Sequence, residues 1–340
     1  MTDGSGSTAL LASPDRTVAG LSRALLVVNP GSRGGRAALP DVLRAFAAAG
    51  VDVQVAETNG PSHATTLVRE RIAADAEPFD AVFTLGGDGT AMEVATGLGE
   101  LSGAPPLGIL AVGTANVLAR SLGIPMSPAR AVPALLQANT VSIDLGRIVG
   151  GPCFAIGLGV GLDVAMIGGA SAMLKRRIGY LAYGWAAIRA GLRMERFGAT
   201  ITVDGVSQRV ETSSILVANF GLVLADLVCF GEDIVHHDGL LHVCVYSPNS
   251  LFDAARILRR MILGGVSADR CVRTIPGRHI RIETDVPRPI QADGELLGLT
   301  PVEVEVIPAA VRLLVPTAPP RRFRLRRVMT ASTAHSTVGL

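Results

Sequence analysis

The sequence predicts a chain in two parts, a parallel α/β half followed by a β-sandwich half. Three observations carry this. Residues 23–140 alternate short apolar runs with amphipathic stretches, the pattern of a parallel sheet covered by helices on both faces. Residues 141–316 instead hold many short strand-like runs between tight turns. A chain of 340 residues also has room for two domains of ordinary size.

In the first half, residues 25–28 form a β-branched run that ends in Asn29, Pro30 and Gly31, a buried strand entering a turn. A helix is predicted over 37–49, stopped by Gly50, and a strand over 51–55. Ser62 is placed to N-cap a helix running to about residue 74. Strands at 80–85 and 107–112 each lead through a glycine-containing loop into a helix, ending near 98 and 122, and a further helix covers 128–138. In the second half, strands are predicted at 141–148, 153–156, 200–203, 208–211, 214–218, 240–246, 272–275, 279–283, 291–292, 302–307 and 311–315. Asp204-Gly205 marks a hairpin turn, and helices are expected at 175–194 and 251–263.

Apolar residues make up 49% and charged ones 18%, with 39 Gly and 20 Pro, which indicates a large core with many tight turns rather than disorder. A net charge of +2 gives no basis for a nucleic-acid partner. Cys153, Cys229, Cys244 and Cys271 are widely spaced and read as plain buried thiols in a reducing compartment. Residues 1–22 lack a basic segment followed by an apolar block and read as a flexible leader. Residues 152–174 are long and apolar, but Asp163 and several glycines favour turn-linked core elements over a spanning helix. Residues 317–340 form a basic tail with five arginines between 321 and 327, either solvated or packed on the first domain.

Three segments share one design, a strand end, a small-residue turn and a helix start. They are Asn29, Pro30, Gly31, Ser32, Arg33, Gly34, Gly35; then Gly86, Gly87, Asp88, Gly89, Thr90; then Gly113, Thr114, Ala115, Asn116. Small residues let main-chain amides approach an anion, and a helix start adds a favourable dipole. In an open parallel sheet these turns share the carboxyl edge, where ligands bind. One such turn is ordinarily just a turn, whereas three on one edge point to nucleotide phosphates. No GxxxxGK[ST] occurs, and the glycines of Gly157-Leu-Gly-Val-Gly161 have the wrong spacing for a dinucleotide fingerprint and suit packing.

In the second half, His236-His237-Asp238-Gly239 and Asp293-Gly294-Glu295 put carboxylates at strand–turn boundaries. A lone Asp-Gly pair is usually a hairpin turn, but phosphoryl transfer needs a divalent ion and a group to take the acceptor's proton. Asp88, Asp238, Asp293 and Glu295 are the carboxylates available on turns. Adjacent histidines on a strand point to opposite faces, which argues against zinc at His236 and His237.

The order of these motifs resembles the diacylglycerol kinase catalytic-domain family, over residues 23–316. That family takes in bacterial diacylglycerol and other lipid kinases together with sphingosine and ceramide kinases. The resemblance implies a first domain like the nucleotide domain of NAD kinases and phosphofructokinases (23–140) and a β-sandwich second domain (141–316). It implies ATP held by Asn29 to Gly35, Thr58, Gly86 to Thr90, Thr114 and Asn116. It implies Mg2+ at Asp238 with the carbonyls of Val235 and Leu240, and Glu295, or else Asp88, as proton acceptor. The chain departs from the family where His237 stands in place of the first Asp of an Asp-Asp-Gly turn, and where 222–232 is apolar and acidic rather than glycine-rich.

The resemblance implies a lipid substrate, diacylglycerol by default. Arginine-bearing amphipathic segments at 175–196 and 251–263 suggest a cytoplasmic protein that visits an anionic membrane surface. The sequence leaves the oligomeric state open, a homodimer included. Two other readings stand beside the lipid kinase. One is a kinase of another small molecule such as NAD, which shares the GGDGT loop. The other is a nucleotide-binding regulator without catalysis, motivated by the altered His237-Asp238 turn.

Overall fold

The structure, a computed structural model, describes residues 16–17, 20–32, 34–161, 195–223 and 228–317. The expected leader, helix 175–194 and basic tail lie wholly or almost wholly outside the described residues.

The first half forms β1 (Arg16–Thr17), β2 (Arg23–Val28), α1 (Gly35–Ala48), β3 (Asp52–Glu57), α2 (His63–Ala74) and β4 (Ala81–Gly86). It continues with α3 (Asp88–Gly99), β5 (Leu107–Ala111), α4 (Val117–Ser121) and α5 (Pro128–Leu136). Strands β5, β4, β2 and β3 lie side by side in that order and are all parallel. Leu25, Leu26, Val27 and Val28 are all inaccessible, which is why their run shows no polar alternation. Phe46 of α1 meets Phe83 of β4 edge-on, with centroids 4.9 Å apart. Gly108 makes room for that ring, since a Cβ there would lie 2.4 Å from it.

Helix α2 starts differently from expectation. The Ser62 side chain makes no capping bond, and Ser62 sits at φ 63°. The Glu93 carboxylate of α3 caps the turn instead, accepting from the amides of Ser62 (2.8 Å) and Ala64 (3.0 Å). A partner thirty residues away in sequence leaves no local signal.

The second half forms β6 (Asn139–Ile148), β7 (Cys153–Phe154), β8 (Gly157–Gly161), β9 (Phe197–Val203), β10 (Val206–Thr212), β11 (Ser214–Ala218), β12 (Leu222–Val223) and β13 (Val228–Cys229). Then come β14 (Leu241–Tyr246), α6 (Leu251–Leu263), β15 (Val272–Gly277), β16 (His279–Thr284), β17 (Pro289–Ala292), β18 (Glu295–Leu299) and β19 (Val302–Val315). A six-stranded sheet runs β15-β14-β11-β8-β17-β18. It packs against β9, β16 and part of β19 through Leu158, Val160, Ile215, Val217, Val243, Ile280, Ile282 and Val304. Its opposite face is covered by α6 through Cys244, Tyr246 and Ile257. Asp204 (φ 48°) and Gly205 (φ 84°) make the expected two-residue hairpin turn between β9 and β10.

The two strands expected at 302–307 and 311–315 are one strand, β19, with a register shift between Ile307 and Val311 where Ala309 takes φ 46°. Its early residues pair with β16, and Leu313 pairs in parallel with Leu107 of β5. The parallel strands and half of the sandwich thus belong to one continuous eleven-stranded sheet. Val311, Leu313, Leu314 and Val315 sit in the same core as β2 and β4.

Leu313 is inaccessible at this junction. Leu313→Ala is expected to lower stability by about 2–5 kcal/mol, read by urea unfolding. A loss under about 0.5 kcal/mol would contradict a shared core.

Candidate active site

The three glycine-bearing loops meet at the carboxyl edge of β2, β4 and β5. The Asn29 side chain donates from Nδ2 to Thr90 Oγ1 (3.0 Å) and accepts the Gly31 amide at Oδ1 (2.9 Å), tying the first loop to the second. Gly35 lies against Asn29, since a Cβ there would come within 2.5 Å of the Asn29 carbonyl oxygen. The second and third loops touch through bare backbone, and a Cβ on Gly113 would stand 2.8 Å from the Gly87 Cα. Helices α1 and α3 both begin here, and neither has a side-chain cap. The Gly35 amide of α1 donates to the Ser32 carbonyl (3.2 Å), and the amides that follow it, like those at the start of α3, have no side-chain cap to compete with an anion. Thr58 is buried beside the end of β2, with its amide on the Val28 carbonyl (2.9 Å). Thr114 is exposed, and Asn116 is buried at φ 48°, its Nδ2 on the Gly113 carbonyl (2.9 Å). Arg33 lies outside the described residues.

Asp88 faces inward along this edge. Its Oδ2 accepts the Val117 amide (3.0 Å) and its Oδ1 the Leu118 amide (3.2 Å), so it caps α4. Burial raises its pKa above the usual carboxylate value, against the pull of those amides.

Asp293 and Gly294 form the turn of the β17–β18 hairpin, at φ 47° and 96°. The Asp293 carboxylate reaches back to the amides of Ala155 (2.7 Å), Ile156 (2.9 Å) and Gly157 (3.0 Å). Burial pushes its carboxyl up to about 6, with Asp88 adding repulsion. Glu295, next in the hairpin, is exposed and turns toward the second loop. A Cβ on Gly89 would lie 3.3 Å from Glu295 Oε1. Asp88, Asp293 and Glu295 therefore gather at one edge.

Residues 236–239 form a turn, as expected at Asp238-Gly239, but His236 and His237 lie in it too rather than on a strand. The rings of His236 and His237 lie 5.0 Å apart, and His236 stacks on Phe220 at 4.6 Å. Burial depresses the His236 imidazole to about 4. Asp238 Oδ1 accepts the Leu240 amide (3.0 Å), and its Oδ2 faces His242 Nε2 at 3.2 Å. Among the described residues no group of three or more His, Cys, Asp or Glu is placed to hold a metal. The magnesium ligands expected here, the Asp238 carboxylate with the main-chain carbonyls of Val235 and Leu240, are not a set of that kind.

Two site residues were missed from sequence. Asp144 of β6 is buried next to Asp238, and its carboxylate accepts the amides of Gly239 (2.7 Å) and Ala309 (2.7 Å). A charged residue inside the apolar run of β6 was the available signal. Asn219, fully buried after β11, donates to the carbonyls of Asp144 (2.7 Å) and Ala155 (2.7 Å). It links the Asp238 turn to the strand start that binds Asp293. At the opposite, amino edge of the sheet lies a cavity of about 820 Å³ beside Phe79, Pro106 and Arg312, remote from every predicted site residue.

An acid whose folded pKa is raised contributes stability below its unfolded pKa and loses it as pH rises through the folded value. For Asp293 that window runs from the ordinary 3.8 to about 6. Asp293→Asn is expected to make the unfolding free energy fall less steeply over this range than in the unmodified chain. An unchanged slope would contradict the raised carboxyl.

Residues 23–148 match the family described as the diacylglycerol kinase catalytic domain, and residues 157–315 match the YegS C-terminal NAD kinase beta sandwich-like domain. The uncharacterized protein sll0036 of Synechocystis is 29% identical over 269 residues, 77% of this chain and 61% of that protein, so the chain spans less than two thirds of that relative. A Staphylococcus epidermidis protein named "putative lipid kinase SERP0390" is 26% identical, over 78% of this chain and 86% of that protein. The crystal structure of a protein named "putative diacylglycerol kinase" from Bacillus anthracis str. Sterne superposes with a TM-score of 0.73 at 25% identity, covering 88% of this chain and 97% of that one. The two matches in tandem, over a fold shared with that structure, place the chain in the diacylglycerol kinase catalytic-domain family, a family of lipid kinases.

Proposed function

We propose that the protein transfers the γ-phosphoryl group of Mg-ATP to the hydroxyl of a lipid, with diacylglycerol as the default acceptor and phosphatidic acid as its product. The observation that carries this reading is Glu295, an exposed carboxylate held against Gly89 in the loop that opens α3. An acceptor hydroxyl between Glu295 and a nucleotide on that loop has its proton acceptor and its phosphorus on opposite sides.

The nucleotide's phosphates lie on the uncapped starts of α1 and α3, with Asn29 to Gly35, Thr58, Gly86 to Thr90, Thr114 and Asn116 shaping the cradle. Magnesium arrives with the nucleotide as part of the substrate. The lipid oxygen attacks the γ-phosphorus, its proton passes to Glu295, the bond to the β-phosphate oxygen breaks, and ADP leaves. Both oxygens of Asp88 are already taken by the amides of α4, which favours Glu295 as proton acceptor and gives Asp88 the work of positioning the second and third loops.

Glu295→Gln is expected to lower transfer of labelled phosphate into lipid by about 10²–10⁴-fold while ATP binding by calorimetry persists. Undiminished transfer would remove Glu295 from the mechanism.

Peripheral contact with a bilayer is part of the same proposal. Among the described residues no helix is long and apolar enough to cross a membrane. Of the arginines of α6, Arg256 is bound to Asp253 and Asp269, and Arg260 lies 3.4 Å from Asp269. The exposed stripe of α6 is apolar, Leu251, Phe252, Ile262 and Leu263, with Arg259 among them. Joint Phe252→Ser and Ile262→Ser changes are expected to reduce co-sedimentation with phosphatidylglycerol vesicles several-fold. Equal sedimentation of both proteins would exclude α6 from the contact.

A further inference from the structure

Ala155 and Ile156 make a bend between β7 and β8 and have no strand partner among the described residues. Backbone groups without a ladder need partners elsewhere. Those of the bend divide between two residues distant in sequence. The amides of Ala155 (2.7 Å), Ile156 (2.9 Å) and the following Gly157 (3.0 Å) all go to the Asp293 carboxylate, a run of consecutive amides gathered on one anion. The carbonyls go to Asn219 and its neighbour. Asn219 Nδ2 donates to the Ala155 carbonyl (2.7 Å), and the amides of Asn219 (3.0 Å) and Phe220 (3.3 Å) donate to the Ile156 carbonyl.

The same Nδ2 also donates to the Asp144 carbonyl of β6 (2.7 Å). Both partners are acceptors, so only the NH2 end of the amide suits them, and both its hydrogens are used. Asn219 is wholly inaccessible, and its Oδ1 has no partner among the described residues. An aspartate here would set a carboxylate against two carbonyls, and an alkyl side chain would leave both unpaired.

The bend matters for what it seats. Asp293 opens the β17–β18 turn, the Gly294 amide closes it on Gln291 Oε1 (2.9 Å), and Glu295 follows against Gly89. A shift of the bend therefore carries Asp293 and Glu295 with it. The bonds of Asn219 all stay in the second half, away from the starts of α1 and α3.

Building on the lipid-kinase reading above, we infer that Asn219 is a positioning residue for phosphoryl transfer: it sets the bend, the bend seats Asp293, and that seat fixes the reach of Glu295. A reacting group misplaced by about 1 Å costs on the order of 10²-fold in rate. Loss of Asn219 thus lowers turnover and leaves nucleotide binding alone.

The test uses the full chain, labelled ATP and a total bacterial lipid extract in detergent mixed micelles. It compares the unmodified protein with Asn219→Asp and Asp293→Asn, each alone and combined with Glu295→Gln, after thermal melting has checked folding. Both single variants are expected to lower kcat at saturating lipid by about tenfold or more, with KM for ATP within about twofold. In the Glu295→Gln background each is expected to change kcat by less than about twofold, because the group they misplace is already lost. A merely structural role would repeat the full loss there. That repetition, or a folded Asn219→Asp protein with kcat within about twofold of the unmodified one, overturns the role of Asn219 and leaves the kinase reading standing. Where Asn219→Asp does not fold, Asp293→Asn, which loosens the same seat from its other side, decides by the same two readings. If the unmodified protein labels no lipid at all, the kinase reading falls and the positioning role with it.

Discussion

The arrangement depends on one half-buried carboxylate. Asp88 binds the first two amides of α4 and so locks the loop after β4 to the loop after β5. Bare backbone at Gly87 and Gly113 allows the two loops to approach that closely. With both loops fixed, α3 begins without a side-chain cap, and the β17–β18 hairpin brings Glu295 against Gly89. A cap to an uncharged partner would leave the same amides bonded but would not place a second negative charge beside Asp293, whose carboxyl is already held near 6 by burial. The site thus concentrates carboxylates where burial disfavours their charge, and main-chain amides hold them there.

The second half is built to serve that edge. Asp293 is gripped by three consecutive amides at the start of β8, and Asn219 ties the same stretch to Asp144 and hence to the Asp238 turn. Strand β19 then returns to β5, so the sandwich and the parallel strands share a sheet and a core. Such continuity restrains the hairpin relative to the glycine loops far better than a flexible linker would.

Much of this was legible in the sequence because it is local. The parallel strands are unbroken apolar runs, the loops declare themselves by glycine, and Asp204-Gly205 and Asp293-Gly294 are turn pairs whose backbone requires positive φ. What was missed is non-local. Glu93 rather than Ser62 caps α2, Asp144 and Asn219 act on turns distant in the chain, and β19 is one strand because its partners change along its length. The expectation that His236 and His237 sit on a strand failed for a related reason: Gly239 gives its amide to Asp144, which pulls the segment into a turn. The basic character assigned to α6 is also offset by acids, Asp253 in its own first turn and Asp269 beyond its end.

Amide hydrogen exchange with and without the magnesium complex of a non-hydrolysable ATP analogue tests the central claim most directly. The account predicts slowed exchange at Gly34 and Gly35, across Gly86 to Thr90 and Gly113 to Leu118, and at the Asp293–Leu296 turn that faces them. Unchanged exchange at all of these, with protection appearing instead around Phe79 and Pro106 at the opposite edge of the sheet, would contradict it.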